Sequence, residues 1–199
     1  LDNWMDPEAF FNQVPTSGYA LEREDGDHAL LSFDADGKTV IAFVMRDGLT
    51  DYQDDTGWGV ESYAMCDPAQ WPPQVTDELD IGVWADTSGA RVSVEQVVSF
   101  HGSAHCDWQD TTWIYLGEEG ERGEFLGNPD PGLRDLLRTT YALDVPVPED
   151  ARDTGWSRKG RRLLIAADGS AAYLVPAYDG VDRSIGDRWP APKQPIGCA

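Results

Sequence analysis

Apolar and polar positions alternate in short runs along most of this chain, and turn-forming residues separate the runs. Leu30, Phe33, Val40, Ala42 and Val44 follow period-two spacing on either side of Asp34-Ala35-Asp36-Gly37. That is the pattern of half-buried strands joined by a tight turn, with Gly37 free to take positive φ. The same pattern predicts a hairpin of 81–85 and 91–98 across Asp86-Thr87-Ser88-Gly89, and one of 162–166 and 171–175 across Ala167-Asp168-Gly169. Residues 113–116 and 124–126 predict another hairpin, residues 58–65 a further strand, and 182–189 an added edge strand.

These runs read as one unit stated three times. Each begins at a small-residue turn leading to an aromatic: Thr16-Ser17-Gly18-Tyr19, Asp55-Thr56-Gly57-Trp58 and Asp153-Thr154-Gly155-Trp156. Each ends at a cysteine, with separations of 66−16=50, 106−55=51 and 198−153=45 residues. Self-similarity at such a period marks β-meander units that bury their apolar faces on one another. The expected fold is therefore mainly β: antiparallel meander repeats packed as an open propeller-like or sandwich-like stack, with one or two short helices. Three units are few for a closed propeller, whose range begins at four blades.

Four stretches depart from the strand pattern. Residues 1–15 predict a short helix, with Asp6 as cap, Pro7 in the first turn, and Phe10 and Phe11 docking it as a lid. Pro68, Pro72 and Pro73 make 67–79 a surface crossover. Residues 132–138 predict an amphipathic helix with Leu133, Leu136 and Leu137 on one face. Val145-Pro146-Val147-Pro148 reads as an extended linker and the best internal boundary. The predicted organisation is an N-terminal helical segment 1–15, units one and two with a short helix over 16–145, and the third unit over 146–199, all in one compact domain.

Composition narrows the function. Hydrophobic residues at 41% exclude a disordered chain. Lys+Arg 15 against Asp+Glu 36 leaves −21, a charge that repels phosphate backbones, so nucleic acid is not an expected partner. The acids read as spread along the chain. No apolar run approaches the length that spans a bilayer. A start at Leu1 is expected of a processed or trimmed product, which leaves open whether a signal or anchor precedes it.

Three cysteines permit one intramolecular disulfide among three pairings. Cys66–Cys106, at the ends of neighbouring units, is the expected one; its 40-residue loop (106−66=40) corresponds to about 4 kcal/mol on a chain-entropy model. No cysteine pair has the close spacing of structural zinc sites. His101, His105 and Asp107 share a loop, read as hydrogen-bonding residues and not as a metal cluster. Asp34-Ala35-Asp36-Gly37 imitates the start of a calcium loop but lacks its later acidic ligands. No Gly-x-Ser-x-Gly elbow occurs. The tryptophans at 58, 71, 84, 108, 113, 156 and 189 are read first as packing residues. Trp58, Trp108 and His105 form the candidate ligand platform. No catalytic residue, metal or cofactor is assigned.

Several segments taken as a set carry a likeness: Val60-Glu61-Ser62-Tyr63-Ala64-Met65-Cys66-Asp67-Pro68, His105-Cys106-Asp107-Trp108-Gln109, Asp153-Thr154-Gly155-Trp156, Ala167-Asp168-Gly169-Ser170-Ala171-Ala172-Tyr173, and Arg188-Trp189-Pro190 with Gly197-Cys198. The set resembles uncharacterised exported proteins of actinobacteria, secreted or tethered to the envelope, over most of residues 55–199. The resemblance implies a compartment and no catalytic residue. The expectation is an extracytoplasmic acidic β domain with a binding or structural role at the envelope, its partner a cell-wall glycan or another envelope protein. The alternatives are a secreted carbohydrate-active or other hydrolase using a carboxylate pair, and a calcium-stabilised module.

Overall fold

The computed structural model of the protein describes residues 14, 15, 17–50, 55–79, 81–101, 108, 110–117, 123–178 and 180–196. The chain forms two compact units, residues 1–80 and 81–199. The predicted helix over 1–15 lies almost entirely outside the described residues.

In the first unit, β1 (Ala20–Asp25), β2 (His28–Ala35), β3 (Lys38–Thr50) and β4 (Thr56–Met65) make one antiparallel sheet in the order β1-β2-β3-β4. Asp36 at φ 52° and Gly37 at φ 71° build the β2–β3 turn, a two-residue turn whose twist matches that of the strands. Asp34-Ala35-Asp36-Gly37 is thus a hairpin connection, and Asp34 Oδ1 accepts a hydrogen bond from the Thr39 hydroxyl (2.7 Å). The buried face carries Ala29, Leu31, Ile41, Phe43 and Met45 and not the expected Leu30, Phe33, Val40, Ala42 and Val44. Of that set only Val40 is buried and Leu30 is exposed, because 40–45 is apolar at every position and alternation alone does not choose the phase. Phe43 lies 5.5 Å from the Tyr19 ring and 6.2 Å from that of Tyr63. The Tyr19 hydroxyl is buried without a partner, and burial pushes its pKa up to about 12.

The predicted crossover at 67–79 contains more structure than its prolines suggest. Asp67 caps a 3₁₀ turn at Pro68–Gln70, and α1 (Pro73–Glu78) follows. Trp71 is buried and donates its indole N–H to the Cys66 carbonyl (3.0 Å), which ties this segment to the end of β4.

The second unit has two antiparallel sheets. One holds β5 (Gly82–Val83), β6 (Val97–His101), β7 (Thr112–Leu116) and β8 (Gly123–Gly127) in that order. The other holds β9 (Ala142–Pro146), β10 (Arg152–Arg158), β11 (Arg161–Ile165), β12 (Ala171–Pro176) and β13 (Ile185–Pro190), in the order β10-β11-β12-β13-β9. Val97, Ile114, Leu116 and Phe125 from the first of these sheets pack with Leu163, Ile165 and Ala172 from the second, in a sandwich-like core. Trp84 joins that core, its indole N–H satisfied by Ser99 Oγ (2.9 Å). Gly127 is required where the sheets meet, because a Cβ there would overlap the Trp189 ring.

The mainly antiparallel β architecture agrees with the pattern reading, and Gly37 and Gly169 both sit in hairpin turns with positive φ. Four details differ. Residues 91–98 are not one strand: Arg91 makes an isolated bridge with Ala85, and regular pairing resumes only at β6. Val145 and Pro146 are not linker but the end of β9, an edge strand where a missing N–H is tolerated. The 182–189 stretch supplies β13, which lies inside its sheet between β12 and β9. The predicted helix at 132–138 is a 3₁₀ turn, Pro131–Leu136, in which Leu133 is buried and Leu136 exposed; Leu137, in extended conformation just after the turn, is the second buried leucine.

The two Thr-Gly-Trp words are also not equivalent. Thr56-Gly57-Trp58 opens β4, the last strand of its sheet, where Gly57 pairs with Leu49. Thr154-Gly155-Trp156 lies in β10, an edge strand of the third sheet, at a register shift where Gly155 takes φ 79°. The charge is uneven too. Residues 1–80 contain 18 acidic and 3 basic side chains (3−18=−15), leaving 12−18=−6 for residues 81–199.

Acidic turn residues tie stability to pH. Asp86 Oδ1 accepts from the Ser88 hydroxyl (2.7 Å) and from the Ser88 and Ala90 N–H groups (2.8 and 3.0 Å). The Ser88 hydroxyl bond foremost holds Asp86 below the usual carboxylate range; Ser170 does the same for Asp168, and the Ser184 N–H for Asp182. A depressed folded pKa contributes stability above the unfolded value near 4, and that contribution is lost as pH falls through the folded value. The melting temperature is therefore expected to drop below about pH 4, and Asp86→Asn should flatten that acid limb; an unchanged limb in Asp86→Asn would show that Asp86 does not contribute. Separately, Gly127→Ala is expected to destabilise the second unit by about 1–3 kcal/mol, read from denaturant midpoints, and to be relieved in part by Trp189→Phe.

Candidate ligand-binding face of the second sheet

Alternation along β7 and β8 sorts their side chains between two faces. Ile114, Leu116 and Phe125 enter the inter-sheet core. Trp113, Tyr115, Glu124 and Leu126 point to the opposite, outer face, as Trp113↔Leu126 and Tyr115↔Glu124 cross-strand pairs. Phe100 on β6 is opposite Trp113, with rings nearly parallel (5°) and centroids 6.3 Å apart. Trp108 meets Trp113 at the same centroid distance, tilted by 42°.

The outer face is covered at one end only. Asp130 caps the 3₁₀ turn at Gly132 N–H (2.7 Å), and its own N–H donates to the buried Thr111 hydroxyl (3.0 Å). This anchors Leu133 and Leu137 on Trp113 and Leu126, with Phe100, Trp108 and Ile196 around them. At the other end Tyr115 stays 37% exposed. Beside it, Glu124 Oε2 is out of solvent and accepts no hydrogen bond. Burial raises the Glu124 pKa. A desolvated carboxyl without a donor is costly, and aromatic surface beside a perturbed carboxyl is the usual make-up of a small-molecule site.

The predicted platform residues are distributed over both units. Trp108 lies on this face, His105 falls outside the described residues, and Trp58 belongs to β4 of the first unit. Cys66 is exposed and carries a free thiol, while its expected partner Cys106 falls outside the described residues. Trp71, Trp84 and Trp113 are buried, and Trp156 and Trp189 pack on the inter-sheet core, so these five are packing residues. His28 sits between two carboxylates, with Nδ1 at 2.7 Å from Asp27 and Nε2 at 3.3 Å from Glu61. Among the described residues no three His, Cys, Asp or Glu side chains group as metal ligands, and no helix is long and apolar enough to cross a membrane.

Phe100, Tyr115 and Glu124 were not singled out by the pattern reading. Their signal was present in the alternation itself, because Trp-Ile-Tyr-Leu facing Glu-Phe-Leu places an acid among aromatics on the face away from the core. Comparison with protein-family models, with curated proteins and with solved structures gives no match.

A raised folded pKa stabilises fully below the unfolded value, and the contribution is lost as pH rises through the folded value. Glu124→Gln is therefore expected to raise stability at neutral pH slightly, by less than about 1 kcal/mol because the group is partly solvated, read as a small rise in melting temperature. The gain should vanish near pH 4. Equal melting temperatures of variant and wild type at pH 7 would show that the carboxylate carries no burial penalty.

Proposed function

We propose that this chain is an extracytoplasmic binding domain for a cell-envelope glycan, held on the outer face of the second sheet. The observation that carries the reading is Glu124 Oε2, buried without a donor beside the half-open ring of Tyr115. A sugar supplies both missing parts: a hydroxyl for the carboxylate, and a C–H face for the tyrosine. The strong negative charge supports the exclusion of nucleic acid. The likeness to exported actinobacterial proteins supports the location. An architectural role at the envelope is compatible with the same surface.

One observation favours a second reading, a secreted carbohydrate-active hydrolase. A carboxyl whose pKa is raised by burial is the form that a general acid takes. Glycan-array and cell-wall pull-down experiments with wild type, Tyr115→Ala and Glu124→Gln address both. Wild type is expected to retain a glycan that both variants lose by about tenfold or more. Failure to retain any envelope glycan removes the binding reading, and release of reducing ends from a retained glycan transfers the site to hydrolysis.

A further inference from the structure

A basic hairpin stands out in this acidic chain. Residues 152–162 carry Arg152, Arg158, Lys159, Arg161 and Arg162 against Asp153 alone (5−1=+4). They form β10, β11 and the turn between them, where Lys159 at φ 47° and Gly160 at φ 72° make a tight two-residue reversal. Two ion pairs of the hairpin lie within the sheet. Arg161 pairs with Asp187, and Arg162 Nη1 lies 3.1 Å from Asp153. Arg152 and Lys159 are exposed. The hairpin is thus a preorganised positive surface, since its strands are locked before any partner arrives.

Its complement is on the same chain. The first unit holds the −15 surplus, and β1 is an edge strand exposed along its whole length, with Glu22, Glu24 and Asp25 around a single Arg23 that pairs with Asp25, and Asp27 just beyond beside His28. We propose that the β10–β11 hairpin of one copy docks on the acidic first unit of a second copy, so that chains associate head to tail. Two different patches are used, so the contact is heterologous and builds rings or open chains instead of a closed two-fold dimer.

The net charge sets an unusual salt dependence. Two chains of −21 repel at long range, but at physiological ionic strength charges separated by more than about 8 Å are largely screened. Repulsion between whole chains is then suppressed, while attraction at the contact survives. Association should peak near 0.15 M salt, weaken at about 0.01 M where the Debye length is about 30 Å, and disappear at about 1 M.

Sedimentation velocity of the intact chain across protein concentration at these three salt levels tests the proposal. The expected result is concentration-dependent growth in mass at the middle salt level, with Arg152→Glu/Lys159→Asp weakening it by about tenfold or more. Aspartate is used at 159 because it tolerates positive φ. Arg152→Gln/Lys159→Asn serves as a milder variant, and melting curves establish that each is folded. A monomer at all three salt levels overturns the proposal, as does association that both folded variants retain. Hairpin-dependent binding to dextran sulfate without self-association also overturns it, by assigning the hairpin to a different anionic partner.

Discussion

The β5–β8 sheet is apolar on both of its faces, and the organisation of the second unit follows from covering both. A strand such as Thr112–Leu116 that buries side chains in two directions needs a layer on each side. The β9–β13 sheet supplies one, meeting Ile114, Leu116 and Phe125 and approaching so closely that position 127 carries no side chain beneath Trp189. The 3₁₀ turn at Pro131–Leu136 helps to supply the other, through Leu133 and then Leu137. That cover is short. It reaches Trp113 and Leu126, while Tyr115 keeps a third of its surface open and Glu124 gains no donor. The candidate site is the remainder of a packing problem that the fold solves only in part.

Local rules that act within a few residues were legible in the sequence. Asp36-Gly37 and the loop at Gly169 became hairpin turns because the required positive φ favours glycine and aspartate over most residues. The 113–116 and 124–126 runs became β7 and β8 because the alternation left one register in which both faces could be buried. What could not be read depended on partners distant in sequence. Val145-Pro146 looked like linker until β13 paired with it from far along the chain (185−146=39 and 186−145=41 residues). Leu136 looked buried on a helical wheel, but Pro131 and the Asp130 cap start a 3₁₀ turn that ends at Leu136, and it is the extended Leu137 that joins Leu133 in the core while Leu136 stays exposed. The repeated Thr-Gly-Trp was misleading for the same reason: the irregularity lies within the word in β10, where Gly155 takes φ 79°, but on the partner strand β3 opposite Trp58, so one word has two settings.

The acidic composition combines two effects that a total cannot separate. In the second unit many aspartates are parts of turns: Asp86, Asp130, Asp153, Asp168 and Asp182 each accept a backbone N–H two residues ahead. Glutamate, one methylene longer, fits this short ring poorly, which accounts for aspartate at these turns. Such residues answer to local geometry. The surplus in the first unit has no comparable counterbalance, with 3 basic side chains in 80 residues. Only when the chain is divided into its structural units does the polarity between an acidic first unit and the basic β10–β11 hairpin become visible.

Glu124 breaks the logic that the rest of the second sheet obeys. Every other outward residue of the β7–β8 ladder from 113 to 126 is aromatic or aliphatic, and glutamine at 124 would relieve the ionic part of the burial cost. A local rule broken without a structural return marks a position kept for another purpose. The chemistry of that purpose depends on the proton. Burial favours the neutral carboxyl, which can donate; a hydroxyl that hydrogen-bonds to the ionised form pulls the equilibrium back towards the carboxylate. A binding site that uses Glu124 as an acceptor favours the ionised form, whereas a general acid must hold its proton until the glycosidic oxygen takes it. Both readings start from the same desolvated oxygen, and the form of the carboxyl that each requires is what separates them.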